Sequence, residues 1–483
     1  MEVVLGVAPD VLGALVGDDD DRHAVVDEGD GPVRPLLPAP PRVSLSAVKY
    51  AIVILEGAAD APIEVLEGRT PLEAAHTPSL DLVATEGRLG RVAATPAGEL
   101  PTFDLCALSL LGVDSAVVRP GAAALERLAL GVDAAPEDWS LLLDFVCVSH
   151  EDDRSTSGLM LDHAPEGLSH AESAALLADI SRAWRERLPD IARDILVTAR
   201  PGVGALLTDR SGRTYEAMRT IPPGAIVRRN WRSHAPAGPG ADIPNQLADI
   251  ATDVLLDHEV NTARTEQGLR PANMAWIWGQ GRDIMLPNFE EQTGLRGAAV
   301  TASDMFAGLA RAIGWDRIPV PDVSADFGAM GRYAAGALDR YDVVCVHIGA
   351  PAEAAIRGEW KAKLDALERI DADIVGPLLA RLRAFGGGEK DPAPTPEKGW
   401  RFLAAVDRYA LSDERAHAPD PTPFAMAGDW VRSVLELPFH EQAAEESDLL
   451  VDPGADLMEY FLFGGLKGAR PVRRRAGKDS PDA

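Results

Sequence analysis

At 483 residues with 46% apolar side chains, the chain is long enough for two or more sizeable cores, which excludes a single small module. Its 47 basic against 75 acidic residues give a formal charge of −28, which repels nucleic acid and anionic membranes and leaves an acidic cytoplasmic protein as the expected class. Cys106, Cys147 and Cys345 lie far apart in apolar stretches without CxxC spacing, so they read as core residues of a reduced compartment.

Residues 1–47 carry GDDDD and PVRPLLPAPPR, a composition that predicts a disordered N-terminal arm. Its opening VVLGVAPDVLGALVG follows Glu2 and is interrupted by Pro9 and Asp10, a poor signal peptide, and no run of about 20 apolar residues predicts a membrane span. The folded body begins near Val48. KYAIVILEGAAD reads as a strand running into a Gly/Ala loop, and TPLEAAHTPSLDLVATEG as two helices opened by Thr-Pro. ELPTFDLCALSLLG places Thr102 and Asp104 ahead of an apolar helix.

Between 119 and 258 the pattern changes to short strands, LLLDFVCV and GALLTD, with an amphipathic helix at HAESAALLADISRAWRERL; this predicts an inserted, smaller α+β domain. Strand-to-helix alternation dominates elsewhere, in MAWIWGQG, GAAVTASDMFAGLARAIG, YDVVCVHIGAP and GWRFLAAVDRY. The expected fold is therefore α/β, a mostly parallel sheet flanked by helices, with segments 48–118 and 259–462 forming the core. Residues 386–399 read as a polar surface loop and 463–483 as a flexible basic tail.

The loops after Leu55, Cys345 and Val406 are expected to converge at one sheet edge. They bring Glu56, Asp60, Asp407 and, after a short excursion, His417. Such carboxylates with a histidine could hold a divalent metal; equally, carboxylates at loop starts cap helices. The loop after Cys345, in VVCVHIGAPAEAAIRGEW, is filled with alanine where an α/β enzyme places reactive groups. His76 reads as a capping or packing residue, His347 as structural, and Trp276 and Trp278 as strand core. WGQG lacks the rest of a dinucleotide fingerprint.

The fragments EGAADAPIEVLEGRTPLEAAHTPSLD, LSLLGVD, VNTARTEQGLRPANMAWIWGQG, DVVCVHI, PTPFAMAG and SDLLVDPGADLMEYFL occur in an order that resembles the archaeal-type cofactor-independent phosphoglycerate mutases of the alkaline phosphatase superfamily. The resemblance spans most of Lys49 to Leu462. It implies an alkaline-phosphatase-like core and a glycolytic isomerase that interconverts 3- and 2-phosphoglycerate through a phosphoserine, with two manganese or zinc ions flanking the transferred group.

Set on this sequence, the implied machinery is sparse. The first-strand aspartate ligand is Glu56, and the nucleophilic serine position is Phe103, directly before Asp104. The implied Asp and His ligands after the middle strand are Ala352 and Ile356. The last-strand Asp-His pair reads Asp407-Arg408, and the later histidine ligand is matched by His417. Implied phosphate-binding arginines fall on Ala122 and Leu142, a Pro-Pro-His-Asp segment reads Pro222-Pro223-Gly224-Ala225, and Arg264 remains as a substrate contact. Arg408 and Arg357 could replace metal charge by pairing with Glu56 and Asp407, or could point to solvent.

Two readings follow. In the first, the chain has lost catalysis and serves as a binding or regulatory pseudoenzyme, with no cofactor or at most one divalent metal, its partner an active paralogue or another protein and homo-oligomers left open. In the alternative, it is an active mutase, or a one-metal phosphatase using Thr102 as nucleophile.

Overall fold

Alternate residues of one strand divide the large core between two faces. In Val48–Leu55, Ala51, Val53 and Leu55 pack under the helices Phe327–Ala337, Trp360–Ile370 and Gly376–Phe385, while Tyr50, Ile52 and Ile54 pack under Phe103–Leu110, Asp304–Ala312 and Asp456–Phe463. Burial on both faces is why the strand is a continuous apolar run rather than an alternating one. The computed structural model describes residues 48–463 apart from 117, 150–157, 166, 201, 283–285, 321–325 and 386–398. The N-terminal arm, most of the loop 386–399 and all but the first residue of the basic tail lie outside the described residues.

Val48–Leu55 sits between Val343–Ile348 and Gly399–Val406, parallel to both. Gly297–Thr301 extends the sheet in parallel beyond Val343–Ile348, and Asp316–Arg317 forms that edge. On the other side Thr422–Gly428 is antiparallel to Gly399–Val406, followed by Arg88–Val92 and Leu450–Val451. The result is a mostly parallel sheet flanked by helices. Its register sets Leu55 against both Ile348 and Val406, and His347 against Thr301. The residues that follow these strand ends, Glu56, Gly349 and Asp407, therefore emerge side by side.

A second, antiparallel sheet contains Met160–Asp162, Trp139–Val148, Gly204–Asp209 and Ile195–Arg200. Helices His170–Arg187 and Asp242–Leu256 cover one face, tied by a hydrogen bond from the Trp184 indole to the Leu247 carbonyl at 2.9 Å. The first of them opens with a capping box between Ser169 and Glu172. Met274–Gly281 departs from the expected segmentation. Placed by its sequence after residue 258 with the core, it pairs instead with Trp139–Val148, so the chain rejoins the large sheet only at Gly297. An apolar strand pattern does not encode which sheet it joins.

The helix Ala122–Leu130 bridges the two sheets. Leu125 enters the large core beside Phe306 and Leu309, whereas Ala122 and Ala123 pack with Leu142 and Leu206 of the second sheet. Gly308 permits the close approach, since a Cβ there would meet the Leu125 carbonyl oxygen at 1.8 Å. Among the described residues, no helix is long and apolar enough to cross a membrane.

Candidate functional site

Gly57 makes the turn that presents Glu56. It adopts φ 62°, and any Cβ would collide with Ala352 at 2.7 Å and Ala410 at 2.8 Å, so glycine is required by both conformation and space. Its N–H donates to Asp407 Oδ1 at 2.8 Å, locking the first strand's exit to the third's. Ala352, Ala355 and Ala410 close around this turn as a small buried apolar cluster.

Arg408 occupies the centre. Its Nη2 donates to Glu56 Oε1 at 2.6 Å and its Nη1 to Asp407 Oδ2, and the side chain is 5% exposed. The second Glu56 oxygen lies 3.0 Å from His347 Nε2. His347 is held in turn by a 3.1 Å contact between Nδ1 and Thr301 Oγ1 and by stacking on Phe306, ring centroids 4.4 Å apart and 9° from parallel. Phe103 closes the group: its ring meets His347 edge-on at 5.2 Å and lies 5.7 Å from the Arg408 guanidinium carbon.

One guanidinium shared by two carboxylates leaves an excess negative charge, and the two acids divide it unequally. Burial alone would raise Glu56, but Arg408 and His347 overcome it and hold the carboxyl at about 2. Asp407 is displaced upward, by burial first and then by neighbouring Glu56, against the pull of Arg408. Burial beside Asp407 also pushes the Cys106 thiol up to about 12, so this buried cysteine is not a thiolate at neutral pH.

The two arginines behave differently. Arg408 is buried in the cluster, whereas Arg357 is half exposed and pairs with Glu359 at 2.8 Å and Glu353 at 3.9 Å. Asp60, from the same loop as Glu56, belongs to a separate buried unit: it accepts from Lys363 Nζ at 2.8 Å and Ser412 Oγ at 2.6 Å. His417 lies on the hairpin Tyr409–Leu411/Ala416–Ala418 with Nδ1 3.3 Å from the Tyr409 carbonyl, and burial followed by Arg408 lowers it to about 3. His76 is exposed, and its backbone N–H donates to Glu368.

Thr102 is the extended N-cap of Phe103–Leu110, and its hydroxyl caps no backbone N–H. It lines the wall shared by two adjoining cavities, of about 360 and 840 Å³, between the sheets. The smaller is bounded by Glu56, Phe103, Ala352, Ile356, Arg408 and His417 on the large-sheet side. Ala122 and Leu142, the positions of the implied phosphate-binding arginines, pack in one apolar cluster with Trp278 beside it. Trp278 is not the strand core its sequence suggests: it is half buried, lines both cavities, and donates its indole N–H to Asp144 Oδ2 at 2.6 Å. Arg264 lines neither cavity; buried in the helix Glu259–Glu266, it donates to the Arg270 carbonyl at 3.0 Å and reaches Glu172 at 3.5 Å.

A two-metal centre requires anionic oxygens and imidazoles with open positions around one point. Arg408 donates only and cannot ligate, and it already bonds the two carboxylates that would. Phe103, Ala352 and Ile356 add no donor atom, and among the described residues no three His, Cys, Asp or Glu gather as a metal-holding group. The residues present do not fit the metal pair.

The profile of a family described as 2,3-bisphosphoglycerate-independent phosphoglycerate mutase matches residues 84–261. A protein of that name from Methanothrix thermoacetophila is 31% identical over 427 residues, covering 86% of this chain and 100% of its own. A probable 2,3-bisphosphoglycerate-independent phosphoglycerate mutase from Geobacter sulfurreducens is 30% identical over 422 residues, with 86% and 100% covered. Among solved structures, the PH0037 protein from Pyrococcus horikoshii superposes with a TM-score of 0.64 at 24% identity, covering 87% of this chain and 97% of that one.

Proposed function

The chain belongs to the 2,3-bisphosphoglycerate-independent phosphoglycerate mutase family, and on that premise we propose that it is a member that has lost mutase catalysis and acts as a cytoplasmic binding or regulatory protein. The observation that carries this reading is the buried Arg408 guanidinium bonded to both Glu56 and Asp407, with Phe103 lying over it. Phosphoryl transfer through an enzyme alkoxide needs a nucleophile, an activating charge and a clamp for the phosphoryl oxygens. Here the nucleophile position is an aromatic ring, the activating charge is neutralised inside the protein, and two clamp positions are the apolar Ala122 and Leu142.

The alternative nucleophile, Thr102, faces the cavity, but among the described residues no histidine, lysine or carboxylate is hydrogen-bonded to its hydroxyl. A threonine at its unperturbed pKa is a weak nucleophile. The partner is a protein or small molecule that uses the family's cleft, with an active paralogue as the first protein to test. A coupled assay of 3- to 2-phosphoglycerate conversion, run with added manganese, tests the reading: no turnover above the buffer rate is expected, and saturable turnover overturns it.

A further inference from the structure

The smaller cavity differs in chemistry between its walls. The large-sheet wall carries the carboxylates Glu56, Asp104 and Glu353 together with Phe103 and Ile356, and the opposite wall carries Arg229, His163 and His234. Arg408, although it lines the space, has its charge committed to Glu56 and Asp407. Among the described residues Arg229 makes no ion pair, and it is the cation left available on the facing wall. His163 has no hydrogen-bond partner among the described residues, and burial lowers its pKa, which keeps the ring neutral. At about 360 Å³ the space suits a small organic molecule.

We propose that this cavity takes a ring-bearing organic monoanion, an aryl or cyclic carboxylate, rather than a phosphoester. The ring lies against Phe103 and Trp278, and the carboxylate faces Arg229. The inference rests on the loss-of-catalysis reading, because it treats Phe103, Ile356 and Ala352 as walls rather than as lesions in a site. A phosphoester with two or three negative charges would meet Asp104 and Glu353 on one wall, beyond the mutually paired Glu56 and Arg408, and a single free guanidinium on the other, with no arginine at 122 or 142 to balance it. A monoanion needs only the one cation, and its apolar body gains from covering Phe103, Ile356, Ile226 and Trp278.

Equilibrium dialysis of the full chain against 1-naphthoate tests this, with uncharged 1-naphthalenemethanol as the matched control. One saturable naphthoate site per chain is expected. Arg229→Gln, a change at an exposed side chain, weakens naphthoate roughly tenfold and leaves naphthalenemethanol unchanged. Ala225→Trp, which fills the cavity from an exposed position, removes both ligands. The inference is overturned by absence of saturable naphthoate binding, by equal affinity in the wild type and both variants, or by displacement with 3-phosphoglycerate at concentrations similar to naphthoate. Failure here leaves the mutase assay to judge the reading beneath it: a chain without naphthoate binding and without turnover refutes only the ligand class.

Discussion

Arg408 and Glu56 lie 352 positions apart in sequence and 2.6 Å apart in space, Nη2 to Oε1, at the exits of neighbouring parallel strands. In the proposed reading, the pair puts fixed side-chain charge where the family resemblance implies a bound ion. Such a group is costly to break from one side, because the remaining partner keeps its burial and loses its counter-charge.

Arg408→Ala is accordingly expected to destabilise the fold by about 3–5 kcal/mol in denaturant melts. Adding Asp407→Asn restores part of the loss, since the orphaned carboxylate is then removed. Arg357→Ala, at a side chain 52% exposed, changes stability by no more than about 1 kcal/mol. Equal effects of the two arginine substitutions would show that the Arg408 cluster is solvated.

Phe103→Ser places a hydroxyl at the position that the family resemblance assigns to the nucleophile, and it is expected not to bring activity. The serine would face the Arg408 guanidinium with no ion to generate its alkoxide, and residues that act as a catalytic unit are strongly non-additive. The coupled mutase assay is expected to stay at the buffer rate. Measurable turnover from this single change would mean that Glu56, Asp407 and His417 still assemble a working centre.

Glu441 supplies a pH signature separate from this cluster. Its carboxylate accepts from the Asp60 N–H at 2.9 Å and the Thr70 hydroxyl at 2.7 Å, and burial pushes its pKa up to about 7 from 4.5. A raised carboxyl binds its proton more tightly in the folded state, so its contribution is fully present below about 4.5 and is lost as pH rises through about 7. Relative to wild type, Glu441→Gln should therefore gain stability across that window. A wild-type minus variant difference that is flat from pH 4.5 to 7 would contradict the assignment.

Much of this arrangement is legible in the sequence. Continuous apolar runs such as VVCVHI predict strands buried on both faces, and strand ends in a parallel sheet bring Glu56 and Asp407-Arg408 together whatever their separation. Sheet membership was not legible for Met274–Gly281, because an apolar strand carries no record of its neighbour. Lys363 is wholly buried on Asp60, a pairing that no local pattern contains and that forms only with Trp360–Ile370 packed across the loop. His347 reads as structural, but its position against Glu56 depends on stacking with Phe306 and on the register with Thr301, neither of which a local pattern contains.

The central claim is that side-chain charge fills the space of a metal pair, and metal stoichiometry tests it most directly. The full chain, purified without chelator, is dialysed against manganese or zinc and then against metal-free buffer, and its metal content is measured. The account predicts metal well below one ion per chain, unchanged by Asp407→Ala. Retention of about two ions per chain, lost together in Asp407→Ala and His417→Ala, would contradict it.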